Sequence, residues 1–169
     1  MMTTPHMVAG AAIGHVLRRP WLAYPAALAS HFVLDAIPHL DSHSLFGANQ
    51  GGPTRLEAAA GITDFLMGVV LVAWLTSRRP DRHVMRCAAL LGVLMDLAEY
   101  VPPWGPRLQT WSGAACLVGF HHGIQHNLTP AHWALGGGTQ LAVLALGIVV
   151  CLARGQSRQS VAGRQTIAL

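Results

Sequence analysis

One stretch of this chain is dense in groups that bind metal ions: Ser30-His31-Phe32-Val33-Leu34-Asp35-Ala36-Ile37-Pro38-His39-Leu40-Asp41-Ser42-His43. His31 and Asp35 stand four apart, so on a helix they share a face. Pro38 ends or kinks such a helix. The chain beyond it then turns His39, and further out Asp41 and His43, back over the same pocket. Imidazole nitrogen and carboxylate oxygen together suit zinc, with manganese or iron as alternatives. A second cluster, Phe120-His121-His122-Gly123-Ile124-Gln125-His126-Asn127, repeats the spacing. His122 and His126 are i, i+4, a common arrangement for two ligands on one helix. His121 faces elsewhere if that helix continues.

Three further acids and one histidine sit in apolar surroundings. Asp64 and Asp96 are isolated carboxylates, and Glu99 with Tyr100 lies about one turn beyond Asp96. An unpaired charge in lipid costs at least about 2.5 kcal/mol, so such groups turn inward and find partners. Asp96, Glu99 and Asp64 are the candidates for a catalytic acid or base. His6 opens the first apolar segment and is placed to complete a ligand set. The candidate metal ligands are therefore His6, His31, Asp35, His39, Asp64, Asp96, His122 and His126.

The elements that carry these residues read as membrane helices. Charged residues make up 11% of the 169, under half of what a soluble domain usually carries, and 52% are hydrophobic. The mean hydropathy of +0.41 agrees. A net charge of +4 would allow a nucleic-acid partner, but the arginines lie in short clusters between apolar stretches, which excludes it. Cys87, Cys116 and Cys151 are far apart and build neither a disulfide framework nor a zinc ribbon. There is no GxSxG nucleophile motif. The N-terminus has no basic region before its apolar stretch, so no cleaved signal peptide is expected.

Five apolar segments stand out, at 5–17, 21–37, 58–77, 84–101 and 134–153, with a histidine-ended segment at 111–126. They predict an all-α, polytopic membrane domain over 1–153, with about five transmembrane helices and one re-entrant or interfacial helix. Residues 154–169 form a basic tail expected to be disordered and cytoplasmic. Arg18, Arg19, Arg78, Arg79, Arg82, Arg86 and the tail arginines all fall on one side of that topology, which positive-inside bias makes cytoplasmic. Sorted on the same topology, every histidine but His15 and His83, and every acid but Asp81, falls on the opposite side. At about 1.5 Å per residue, His31, Asp64 and Asp96 share a layer roughly 8–9 Å below that outer boundary. Gly10 and Gly14 form a GxxxG pair, and Gly136-Gly137-Gly138 opens the last segment; close helix packing accounts for both.

A short N-terminal histidine helix followed by an apolar helix ending in Asp-x-x-Pro-His-x-Asp resembles the predicted membrane-bound metal-dependent hydrolases of bacteria and archaea. Separately, His31-Phe32-Val33-Leu34-Asp35 with Pro38 and His39 is similar to a helix of zinc-dependent phospholipase C and its related nucleases. Those enzymes are soluble, use a zinc cluster on phosphoesters and carry a second helix with HxxxE, where this chain has His122 and His126. The resemblances imply a divalent-metal hydrolase acting on a phospholipid or lipid-linked phosphoester at the outer membrane face. Two other readings remain open from the sequence. One is transport or binding of a divalent ion or protons, and the other is a haem or di-metal redox protein.

Overall fold

The computed structural model describes residues 1–47, 54–100 and 104–153, without the side chains of Trp104, Pro106 and Gln109. The basic tail, and the end of the fourth apolar segment at Val101, lie outside the described residues. The chain is helical as expected: α1 (Thr3–Leu17), α2 (Pro20–Asp35), α3 (Ser42–Phe46), α4 (Arg55–Thr76), α5 (Arg82–Leu91), α6 (Leu94–Tyr100), α7 (Trp104–Thr110), α8 (Ser112–Ile124) and α9 (Trp133–Leu152), the last entered through a 3₁₀ turn at Pro130–His132. Among the described residues the only strand-like pairing is one parallel bridge between His39 and Asn127.

The expected five transmembrane helices are not there. Among the described residues two helices are long and apolar enough to cross a membrane, Arg55–Thr76 and Pro130–Leu152. The other apolar segments are short or broken. α1 has 15 residues, so it covers about 22 Å, against a hydrocarbon core of roughly 30 Å. α2 has 16 residues and carries Pro25 inside it. The fourth segment splits at Gly92 and Val93 into helices of 10 and 7 residues. The histidine-ended segment forms a helix of 13. Apolar composition alone did not reveal these breaks.

α1 is the axis of the bundle. It is apolar nearly all round, as a fully enclosed helix must be, and Met7, Val8, Ala11 and Ala12 are buried. It meets a small residue on each of three neighbours. A Cβ added at Gly68 of α4 would lie 2.7 Å from Met7 Sδ, and one at Gly147 of α9 would lie 2.8 Å from Val8 Cγ1. On the α5 side the close contact is made by α1 itself: a Cβ at Gly10 would lie 2.5 Å from the Ala88 carbonyl oxygen. The Gly10/Gly14 pair thus does what its spacing predicts.

Contacts along α1 fix the direction of its neighbours. Asp64 of α4 meets Thr3 and Thr4, and Gln140 of α9 accepts from the Met2 amide. At the other end His15 reaches Asp81, just past α4, and the Ala153 carbonyl, just past α9. α4 and α9 therefore run alongside α1, and α2 and α5 run against it. Between the two ends lies an apolar core of Met7, Val8, Ala11, Val72, Leu75, Met85, Val93 and Cys151 with their neighbours.

Gly10→Ala should therefore push α1 off α5. We expect a destabilisation of about 1–3 kcal/mol, the range for overpacking a close contact. Thermal unfolding in detergent measures it. Gly123→Ala, where an added Cβ meets nothing within 4 Å, is the control and should leave the midpoint unchanged.

Candidate metal centre

α2 ends on Asp35, and its carboxylate is completely enclosed. The backbone around it is tied by helix ends rather than by a helix interior. The Asp35 carbonyl accepts from the His126 amide at 2.8 Å, the His39 amide donates to the His126 carbonyl at 3.1 Å, and the Leu128 amide donates to the His39 carbonyl at 2.8 Å. This short ladder folds the chain after Pro38 back beneath α2 and buries the His39 ring.

Donors converge on Asp35 from both sides. His6 Nε2 lies 3.0 Å from Oδ1, with the Met1 amine 2.6 Å and His39 Nε2 3.9 Å from the same oxygen. His121 Nε2 lies 3.0 Å and His31 Nε2 3.3 Å from Oδ2. Asp96 Oδ1 stands 3.7 Å from His31 Nε2. His31, Asp35, Asp96 and His121 each offer a ligand atom within 4.8 Å of all the others.

The hydrogen bonds on the far side of the rings decide which nitrogen is free. His31 Nδ1 donates to the Gly92 carbonyl at 2.9 Å, and His39 Nδ1 donates to the Ile37 carbonyl at 2.7 Å. Each ring therefore keeps a bare lone pair on Nε2, the atom that faces Asp35. This is the outer-shell arrangement that orients ligating histidines. The break between α5 and α6 at Gly92 leaves that carbonyl outside the helical ladder and available to His31. His39 Nε2 and Asp96 Oδ2 are buried with no hydrogen-bond partner. Buried polar atoms are rarely left so, and both mark room for a ligand at this end of the bundle.

His121 is held by carboxylates at both nitrogens. Nδ1 faces Glu99 Oε1 at 2.7 Å and Nε2 faces Asp35 Oδ2 at 3.0 Å. Glu99 uses its other oxygen on His122 Nε2 at 2.7 Å, so neither oxygen is spare. Glu99, His121 and His122 form a second, smaller group with metal-ligand atoms in reach of one another.

Electrostatics follow from burial and these contacts. Burial pushes the imidazolium forms of His6 and His31 down to about 3 and about 4, and it lowers His39, leaving neutral rings fit to be ligands. Burial opposes ionisation of Asp35, yet the His121 and His6 hydrogen bonds hold its carboxyl well below the usual carboxylate range. Burial, reinforced by the Asp35 and Glu99 charges, pushes Asp96 up to about 7. Burial also opposes the charge on His121, but hydrogen bonds to Asp35 and Glu99 outweigh it and raise the ring to about 9.

The sequence-predicted residues divide accordingly. His6, His31, Asp35, His39, Asp96 and Glu99 come together. Asp64 does not join them: its Oδ2 accepts the Thr3 hydroxyl at 2.6 Å and the Thr4 amide at 3.0 Å, so it caps the start of α1. His122 sits on the rim with its side chain half exposed. His126 is exposed and serves the site through its backbone. The i, i+4 pairing of those two fails because α8 stops at Ile124 and Gln125 is already extended. His121, set aside by that spacing, is the residue of the cluster that joins His31, Asp35 and Asp96. A signal for it exists in Gly123 and in the Thr129-Pro130 stop just beyond. Asp41 caps α3 by accepting from the Ser44 amide, and His43 pairs with Glu57 at the surface. His15 pairs with Asp81 at the far end of the bundle.

No family model, curated protein or solved structure matches the chain.

Two outcomes follow from this geometry. Elemental analysis of protein purified in detergent should find a bound divalent metal, lost in Asp35→Asn and His121→Ala and retained in His126→Ala. Equal metal in all three variants contradicts the assignment. Binding also has to displace the proton between His121 Nε2 and Asp35, since metal ligands bind deprotonated. At pH 7, below the His121 value, ion binding should therefore release protons, and it should tighten as pH rises toward 9. Calorimetric titration in buffers of different ionisation enthalpy reads this, and proton uptake would contradict it.

Proposed function

We propose that this protein is a membrane-embedded, metal-dependent hydrolase of phosphoester bonds, acting on a phospholipid or lipid-linked substrate. The observation that carries the reading is the convergence of four imidazole Nε2 atoms on the buried Asp35 carboxylate, with Asp96 beside them and two of those rings fixed at Nδ1 by backbone carbonyls. His31, Asp35, Asp96 and His121 would hold the ion, and His6 and His39 flank the other oxygen of Asp35. Zinc fits this nitrogen and oxygen set best, with manganese or iron as alternatives. A divalent ion supplies a Lewis acid and a coordinated water of lowered pKa when bound.

The chain's own residues do the rest. Glu99 holds the His121 proton at Nδ1 and so presents Nε2 inward. Asp96 faces His31 Nε2 through Oδ1 and has a second, buried oxygen, Oδ2, without a partner; with Oδ1 on the ion, Oδ2 would be the oxygen free to take a proton as general base. Glu99 has both oxygens engaged, which favours Asp96 over Glu99 as the base. α4 and α9 are the long helices that would cross the membrane, and because they run parallel the chain between them, through the broken α5–α6 pair, would have to return across it. Arg78, Arg79, Arg82 and Arg86, at the far end from Asp35, would then face the cytoplasm, with the metal-binding end on the outer face.

The competing readings fit less well. A transport path would need polar groups along the bundle, and an apolar core fills that length. Two axial haem ligands would need to face each other across a macrocycle, and His31 and His121 Nε2 are 3.0 Å apart.

The decisive assay loads chelator-stripped protein in phospholipid vesicles with zinc, manganese or iron and follows release of the phosphorylated headgroup. We expect metal-dependent release, and a drop in kcat of roughly 10²–10⁴-fold in Asp96→Asn, the usual contribution of a positioned base. Metal-loaded protein that releases no phosphorylated product from any phosphoester lipid overturns the reading.

A further inference from the structure

Gly136, Gly137 and Gly138 open α9, and close packing accounts for only one of them. A Cβ at Gly136 would lie 2.7 Å from Leu40 Cγ, so the backbone there needs glycine. A Cβ at Gly137 or Gly138 would meet nothing within 4 Å. Both border open space instead: a groove of about 540 Å³ between α4 and α9, lined by Thr4, Pro5, Met67, Gly137, Gln140 and Leu141 among others. That volume lies within the roughly 300–1,000 Å³ of ligand pockets.

The walls say what would fill it. They belong to the two helices long and apolar enough to cross a membrane. Their outward surface continues the groove as an apolar face, with Leu66 and Val70 on α4 and Leu146 and Val149 on α9 each more than half exposed. The one charged group in the lining, Asp64, already accepts hydrogen bonds from Thr3 and Thr4. From Trp133 to Leu144 the groove follows α9 for roughly 16 Å at 1.5 Å per residue. Its polar end is the metal-binding end of the bundle. Pro5 lines the groove, and the next residue, His6, touches Asp35.

We propose that the groove between α4 and α9 takes one acyl chain of a membrane lipid, entering sideways from the bilayer and directing its headgroup toward Asp35. This names the part of the substrate that the proposed hydrolase recognises, and it rests on that reading. Gly137 and Gly138 are then specificity-determining: their missing side chains make the room for the chain.

The test uses the full chain in phosphatidylcholine–phosphatidylglycerol vesicles containing trace phosphatidylcholine with a diazirine in mid-chain. After photolysis, adducts are mapped by mass spectrometry, with and without chelator, and bound metal is measured in parallel. We expect adducts on Pro5, Gln140 and Leu144, the less exposed residues of the lining, to exceed severalfold those on Val70 and Leu146, which face outward. The double substitution Gly137→Leu and Gly138→Leu should remove most groove adducts while outward adducts and metal content stay as in the wild type. Groove labelling in protein that binds no metal supports the acyl site and overturns the metal reading alone. Equal labelling of groove and outward residues in the wild type overturns the acyl site, whether or not the double variant folds. So does cross-linking of two chains through α9, which would make the groove's occupant a second copy.

Discussion

A single buried carboxylate organises this molecule. Asp35 lies at the end of α2, out of contact with water, and four histidines from four parts of the chain turn a nitrogen toward it. Burying a charge without partners is prohibitive, so the surrounding elements must deliver donors or a cation. α1 brings His6, the turn after Pro38 brings His39, and α8 brings His121. Removing Asp35 would leave those elements with no shared partner at the polar end of the bundle. With Asp96 and Glu99 nearby, the cluster holds three acids, and the Met1 amine and His121 are the positively charged partners that stand against them.

The opposite end is built on the reverse charge. Arg79 donates to the Cys151 and Ala153 carbonyls, the last acceptors of α9, and Arg86 donates to Thr76 near the end of α4. Cations at helix C-termini are favourable both as hydrogen-bond donors and toward the helix dipole. α1 threads between the two ends because small residues line its contacts. Where Gly10, Gly68 and Gly147 stand, backbone and side chain approach more closely than any larger residue permits. The bundle thus has an acidic, histidine-rich end, a dry middle and a basic end.

Much of this was legible in the sequence, and the failures have physical causes. His31 and Asp35 were readable because both lie inside one uninterrupted helix, where a spacing of four fixes a shared face. The gathering of histidines at one end was readable because arginine position is an independent signal. His31 and Asp96 do meet at a shared depth, whereas Asp64, at the same expected depth, turns to Thr3 and Thr4 instead. Depth constrains distance along an axis but not direction around it. His122 and His126 misled because their spacing was read across the end of α8. The split of the fourth apolar segment at Gly92 has no counterpart in composition, since the residues on both sides are equally apolar.

The count of membrane-length helices and the shape of the site turn on the same fact. A helix that runs the full depth of a bilayer keeps its backbone groups paired internally and offers a site only side chains. α1, α2, α5 and α6 are too short for that, and the end of α2 and the break between α5 and α6 fall inside the protein. Helix ends leave carbonyls and amides unpaired, and those groups do the fine positioning here. Gly92, at the end of α5, fixes the tautomer of His31, and Ile37, just past α2, fixes that of His39. The Asp35 carbonyl anchors the strand-like segment at His126 that closes the pocket from below. Five uninterrupted spans could have carried the same histidines and acids but would have had no free carbonyl to hold two rings with Nε2 facing inward. The long helices α4 and α9 supply the apolar outer surface that lets the others be short.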